Sequence, residues 1–137
     1  MSASRTPFIA GNWKMHKTIA ETEEFIAGFL PRVYAADGVD VALCVPYTAL
    51  GALVDSTRGS RVQVFAQNMH QDASGAHTGE ISAPMLTELD VHGVVLGHSE
   101  RRADNGETDR ALALKVPAAL DAGLLPILCV GETEAER

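Results

Sequence analysis

Five short apolar runs, at residues 7–12, 40–45, 61–68, 91–97 and 124–130, alternate with helical patterns along this 137-residue chain. That alternation constrains the fold more than any other feature. Strand followed by helix, repeated, means parallel strands joined by right-handed crossovers. The runs are apolar throughout rather than alternating, as strands covered on both faces require. Two α/β architectures satisfy the pattern: a doubly wound open sheet and a (β/α)8 barrel.

The spacing bears on that choice. Runs begin at residues 7, 40, 61, 91 and 124, about 29 residues per unit. Eight such units need roughly 235 residues, near the usual size of a barrel. On that arithmetic the chain carries about five of eight β/α units of one barrel domain spanning 1–137. The segment after the fifth run, 131–137, reads as a helix start without a helix, so the expectation is an incomplete barrel.

The helical segments carry end signals. Thr18 and Glu21 have capping-box spacing, and Ile19, Ile26, Leu30 and Val33 recur at helical intervals, with Pro31 ending or bending that helix. Thr48 is placed to cap a short helix bearing Leu50, Leu53 and Val54. Ser82 caps the next, with Pro84 in its first turn. The last runs from about Thr108 to Ala122, with Leu112, Val116, Ala119 and Leu120 inward and Gly123 as a left-handed terminator. Pro117 lies inside it and removes a hydrogen bond, which predicts a kink or two pieces.

Composition excludes some partners. The 46% hydrophobic content supports a sizeable core, and the net charge of −7 argues against nucleic acid and anionic membrane surfaces as partners. No run is long enough to span a bilayer and no signal-peptide pattern opens the chain. Cys44 and Cys129 fall inside apolar runs, which reads as buried free thiols in a reducing compartment, with the cytoplasm as default.

Polar chemistry collects at the ends of the runs. The fourth passes through Gly97 into His98, Ser99, Glu100, Arg101 and Arg102, at the carboxyl end where α/β folds hold ligands. Alone, the stretch reads equally as a strand terminus with a solvated charged turn. The first run ends in Gly11-Asn12-Trp13-Lys14, where an amide and an ammonium leave with alternate spacing and can address an oxyanion or phosphate together; on spacing alone, a loop asparagine and a solvated lysine are the favoured reading. A polar segment, 69–80, follows the third run; loops of that length are uncommon in compact domains. His70 and His77 share it, but no cysteine or carboxylate joins them at ligand spacing, so no metal site is expected. His16 and His92 read as surface or helix-cap residues, and Cys129 as a packed thiol.

Together these segments resemble the triosephosphate isomerase family. Asn12-Trp13-Lys14-Met15, Ala66-Gln67-Asn68, the GAHTGEIS stretch from Gly75 to Ser82, the VVLGHSERR stretch from Val94 to Arg102, and Cys129-Val130-Gly131-Glu132-Thr133 are similar to its motifs, in order and in register from Phe8 to the last residue. The resemblance implies a TIM barrel. It implies interconversion of dihydroxyacetone phosphate and glyceraldehyde 3-phosphate, in glycolysis and gluconeogenesis, through an enediolate and without cofactor or metal. His98 would be a neutral imidazole electrophile, Lys14 the cation for phosphate and enediolate, and Asn12 a hydrogen-bond donor to substrate oxygens. Glu100, with Ser99 beside it, would stand behind these and orient Lys14. Thr78 would reach a neighbouring subunit's site from the dimer loop, and Glu80 and Arg101 would pair across that interface, in a homodimer of the complete enzyme.

The family's general base is a glutamate at the end of a sixth strand, beyond Arg137. The expectation is therefore a fragment inactive alone, with unpaired edges at its first and fifth strands that favour association. The alternative is a non-catalytic truncated product that binds a phosphate ligand or a partner.

Overall fold

The computed structural model describes residues 4–137. Among them, five parallel strands form one sheet in the sequential order β1-β2-β3-β4-β5. The strands are β1 (Phe8–Asn12), β2 (Asp40–Val45), β3 (Val62–Ala66), β4 (Gly93–Leu96) and β5 (Leu125–Leu128). Strictly sequential order, with no reversal of direction, is that of a partial (β/α)8 barrel and rules out the doubly wound alternative. The helices between strands are α1 (Ile19–Val33), α2 (Tyr47–Thr57), α3 (Ala83–Glu88), α4 (Ser99–Asn105) and α5 (Asp109–Asp121), and a 3-10 turn, Glu134–Glu136, follows β5.

The two faces of the sheet have different partners. Leu43, Val45, Val62, Val64, Ala66, Val94 and Leu96 pack outward against the helices in the main core, with Leu50, Leu53, Leu86 and Leu112. Ala42, Cys44, Phe65 and Val95 form a second cluster on the inner, concave face, with Ile127 and Cys129 against it. Residues alternate between the faces with the two-residue period of a strand. The outer strands are open: Ile9 on β1 is 59% exposed and Leu125 on β5 is 50%. No helix among the described residues is long and apolar enough to cross a membrane.

Several ends follow the local chemistry of the sequence. Thr18 and Glu21 form a reciprocal capping box on α1, and Thr108 caps α5 through the Ala111 amide. Gly123 adopts φ 79° after α5. Helix α1 passes Pro31 and stops at Val33, whereas α5, against the two-piece expectation, runs as one helix through Pro117.

Other expectations are corrected. Helix α2 begins at Tyr47 with Pro46 as its cap, so Thr48 lies inside it rather than at its end. Ser82 caps α3 in position but not by its side chain, whose Oγ is buried without a partner. Leu120 faces solvent at 57% exposure, while Lys115 on the same helix is buried. His92 is exposed, as the surface half of its reading had it, but it caps no helix; its Nδ1 accepts the Val64 amide at 3.0 Å across β3 and β4. Cys129 is only half-buried, whereas Cys44 is fully so, and both thiols are free. The charged stretch after Gly97 is neither a plain turn nor shapeless: it is helix α4.

Candidate active site

The carboxyl end of β1 sets the first part of the site. Past Asn12 the chain turns sharply, and Lys14 takes φ 57°, a left-handed conformation that a lysine holds only under constraint. The constraint is a net of hydrogen bonds. Asn12 Oδ1 accepts the Lys14 amide at 2.9 Å. Gln67, at the end of β3, donates its Nε2 to Lys14 O at 2.9 Å, Cys44 O at 3.1 Å and Asn12 Oδ1 at 3.3 Å. One amide from β3 thus ties the ends of β1 and β2 together. Gln67 carries no charge, and although the Ala66-Gln67-Asn68 motif includes it, the sequence reading assigned it no role.

The carboxyl end of β4 sets the second part. Gly97 turns the chain with φ 75°. A β-carbon there would lie 2.7 Å from Leu112 Cδ1 and 3.0 Å from Arg102 Nη2. Arg102 braces this turn by donating to Gly97 O at 2.8 Å and Cys129 O at 3.1 Å. His98 follows as the residue capping α4, and its Nδ1 accepts the Glu100 amide at 3.2 Å. An accepting Nδ1 is unprotonated, which places the proton of a neutral ring on Nε2. Glu100 also has Oε2 3.5 Å from that Nδ1. The amide contact is shorter and needs the lone pair, so the neutral tautomer accounts for the geometry.

The two parts meet between Lys14 and Glu100, whose Nζ and Oε1 are 2.6 Å apart. This hydrogen bond holds the Glu100 carboxyl below its ordinary range against the opposing effect of desolvation, and the charge of Lys14 adds to it. Asn12, Lys14, His98, Glu100 and Arg101 line one cleft of about 390 Å3, with Tyr47, Gln67 and Asn68 among its other walls. Ser99 is the first residue of α4. Thr78 and Glu80 stand on the 69–80 loop, outside this cleft. Arg101 donates its Nε to Glu107 at 3.4 Å within the same chain.

Beneath the cleft lies a buried network that the sequence reading missed. The Glu107 side chain is 3% exposed. Its Oε1 accepts the Gly97 amide at 2.9 Å, and its Oε2 faces Lys115 Nζ at 2.7 Å. Lys115 also donates to Asn68 Oδ1 at 2.9 Å, while Tyr47 donates its hydroxyl to Asn68 O at 2.9 Å. Burial pushes the Glu107 carboxyl up, but the hydrogen bond and charge of Lys115 and the charge of Arg101 outweigh it, and the net shift is downward. Burial raises the Tyr47 phenol to about 12. The network ties the turn before His98 to the end of β3 through groups separated by 47 residues in sequence, a separation that no local pattern reveals.

The 69–80 loop holds the other departure. His70 and His77 stack with centroids 3.9 Å apart. Asp72 joins them, its Oδ2 lying 2.8 Å from His77 Nε2 and its amide donating to His70 Nδ1 at 2.9 Å. A carboxylate therefore does accompany these histidines, contrary to the sequence reading.

Comparison with known proteins gives one answer. The family model described as triosephosphate isomerase matches residues 7–137. A triosephosphate isomerase of Synechocystis sp. is 57% identical over 134 residues, covering 97% of this chain and 55% of that protein. One of Symbiobacterium thermophilum is 51% identical over 133 residues, covering 97% of this chain and 52% of that protein. The crystal structure of triosephosphate isomerase from Bartonella henselae superposes with a TM-score of 0.88 at 40% identity, over 94% of this chain and 53% of that one. The chain spans about half the length of the curated relatives it matches.

Proposed function

Because the chain belongs to the triosephosphate isomerase family, we propose that its cleft takes part in interconverting dihydroxyacetone phosphate and glyceraldehyde 3-phosphate by proton transfer through an enediolate. The observation that carries this reading is the 3.2 Å contact from the Glu100 amide to His98 Nδ1. With Nδ1 accepting the Glu100 amide, the ring offers Nε2–H as a donor from the cleft wall.

The chemistry fits these residues. The reaction builds negative charge on oxygen, so preorganised donors aimed at that oxygen contribute most. His98 donates its Nε2 proton to the carbonyl oxygen and takes one back from the neighbouring hydroxyl as the double bond moves. Lys14 supplies positive charge to the phosphate and the enediolate, which a chain of net charge −7 must provide locally. Asn12 offers its amide nitrogen to substrate, its oxygen being occupied by the Lys14 and Gln67 donors. Glu100, with Ser99 beside it on α4, orients Lys14. The carbon-bound proton goes to a carboxylate from outside residues 1–137; within the cleft, Glu100 is engaged by Lys14.

The full enzyme on this reading is a cytoplasmic glycolytic and gluconeogenic homodimer. Thr78 reaches the neighbouring site, and Glu80 meets Arg101 across the interface. The exposure of Thr78 and the half-exposed Arg101 are compatible with such contacts.

Trp13, the only tryptophan, adjoins Lys14 and serves as reporter. Titration of the 137-residue chain with dihydroxyacetone phosphate is expected to change Trp13 fluorescence saturably, and Lys14→Met to abolish the change. The same preparation is expected to show no enzymatic interconversion. A response unaltered in the Lys14 variant contradicts the assignment of the cleft, and turnover by the chain contradicts the external base.

A further inference from the structure

We propose that His70, Asp72 and His77 form a binding site for one divalent transition-metal ion of the imidazole-binding class, such as Zn2+ or Co2+. Each residue offers a ligand atom, and the three atoms lie within 4.8 Å of one another. Two imidazoles and a carboxylate suit such ions, whose bonds of about 2.0–2.2 Å set donors about 3.3 Å apart in a tetrahedral site. His77 Nε2 and Asp72 Oδ2 already stand 2.8 Å apart. A proton bridges them, and a cation replaces it as the His77 proton moves to Nδ1.

The third ligand follows from the tautomer of His70. Its Nδ1 accepts the Asp72 amide, so the lone pair is on Nδ1, and coordination there exchanges one amide hydrogen bond for a metal bond. The histidine side chain at 77 is 38% exposed and the carboxylate at 72 is 53%. Neither residue belongs to the packed core clusters, so a shift of either side chain leaves the core in place. This site is separate from the cleft. It lies on the loop assigned above to subunit contact, so its occupancy and the association of two copies involve the same residues.

The test is titration of the chain with Co2+, followed by absorption in the visible d–d region, then displacement by Zn2+. One Co2+ per chain is expected, with the intense bands of four- or five-coordinate cobalt. His77→Phe keeps an aromatic ring stacked on His70 but has no ligand nitrogen, and it is expected to abolish the bands. Asp72→Asn is expected to weaken binding at least tenfold, about 1.4 kcal/mol, and circular dichroism confirms that each variant is folded. Binding unchanged in both variants, a sulfur-to-cobalt charge-transfer band placing the ion on Cys129, or no binding overturns the proposal.

Discussion

Lys14 Nζ and Glu100 Oε1 are 2.6 Å apart across 86 residues of sequence. That contact joins the turn after β1 to the first turn of α4. Both side chains are about half exposed, and a solvated pair of this kind adds little to stability. Its consequence is positional. Glu100→Gln is expected to leave the melting temperature unchanged while freeing the Lys14 ammonium. Nitrogen-15 relaxation at Lys14 Nζ should report greater mobility, and the Trp13 response to dihydroxyacetone phosphate should weaken. An equally ordered ammonium in the variant contradicts the role.

Glu107 is the buried counterpart, and its loss costs stability. Glu107→Gln leaves Lys115 buried without its counter-charge, which typically destabilises by about 3–5 kcal/mol. The pH dependence has a definite sign. The folded carboxyl sits below its ordinary value of 4.5, so its contribution is complete above that value and is lost as pH falls through the folded value. Urea unfolding followed by circular dichroism should show a large wild-type advantage at pH 7 that shrinks below pH 4.5.

Gly97→Ala is expected to destabilise the chain through backbone and contact together. A residue with a side chain at φ 75° is strained by about 1–3 kcal/mol. The new methyl also meets Leu112 and Arg102. The denaturation midpoint should fall, and the His98 resonances should shift because the turn that delivers His98 has moved.

The two thiols should differ in reactivity. Burial and the nearby Cys129 raise the Cys44 thiol to about 11, and its side chain lies on the inner sheet face. Cys129 is raised too, by burial, but is half-buried only. Alkylation at pH 8, mapped by mass spectrometry, should modify Cys129 first and reach Cys44 only on unfolding.

The three inner strands were readable because burial on both faces leaves continuous apolar runs, and His98 was readable because it follows such a run at its carboxyl end. Helix α4 was not, because its seven residues, SERRADN, hold no apolar period; the left-handed Gly106 after it is the one signal that marks its end. Leu120 was taken for a core residue and the burial of Lys115 went unread, because the counter-charge that permits Lys115 to be buried comes from Glu107, on the connection before α5. The meeting of Asp72 with His70 and His77 depends on how one loop folds back, where neither a helical nor a strand period operates. Interactions that depend on a repeat are written locally, whereas those that depend on a single distant partner are not.

The central claim is that His98 presents a neutral imidazole with Nε2–H facing substrate. Long-range nitrogen-15 correlation spectra of the chain, with and without dihydroxyacetone phosphate, test it directly. The expected result is an unprotonated Nδ1 throughout, with the Nε2–H resonance shifting on addition of ligand. A proton on Nδ1, a doubly protonated ring at pH 7, or an Nε2–H indifferent to ligand would contradict it.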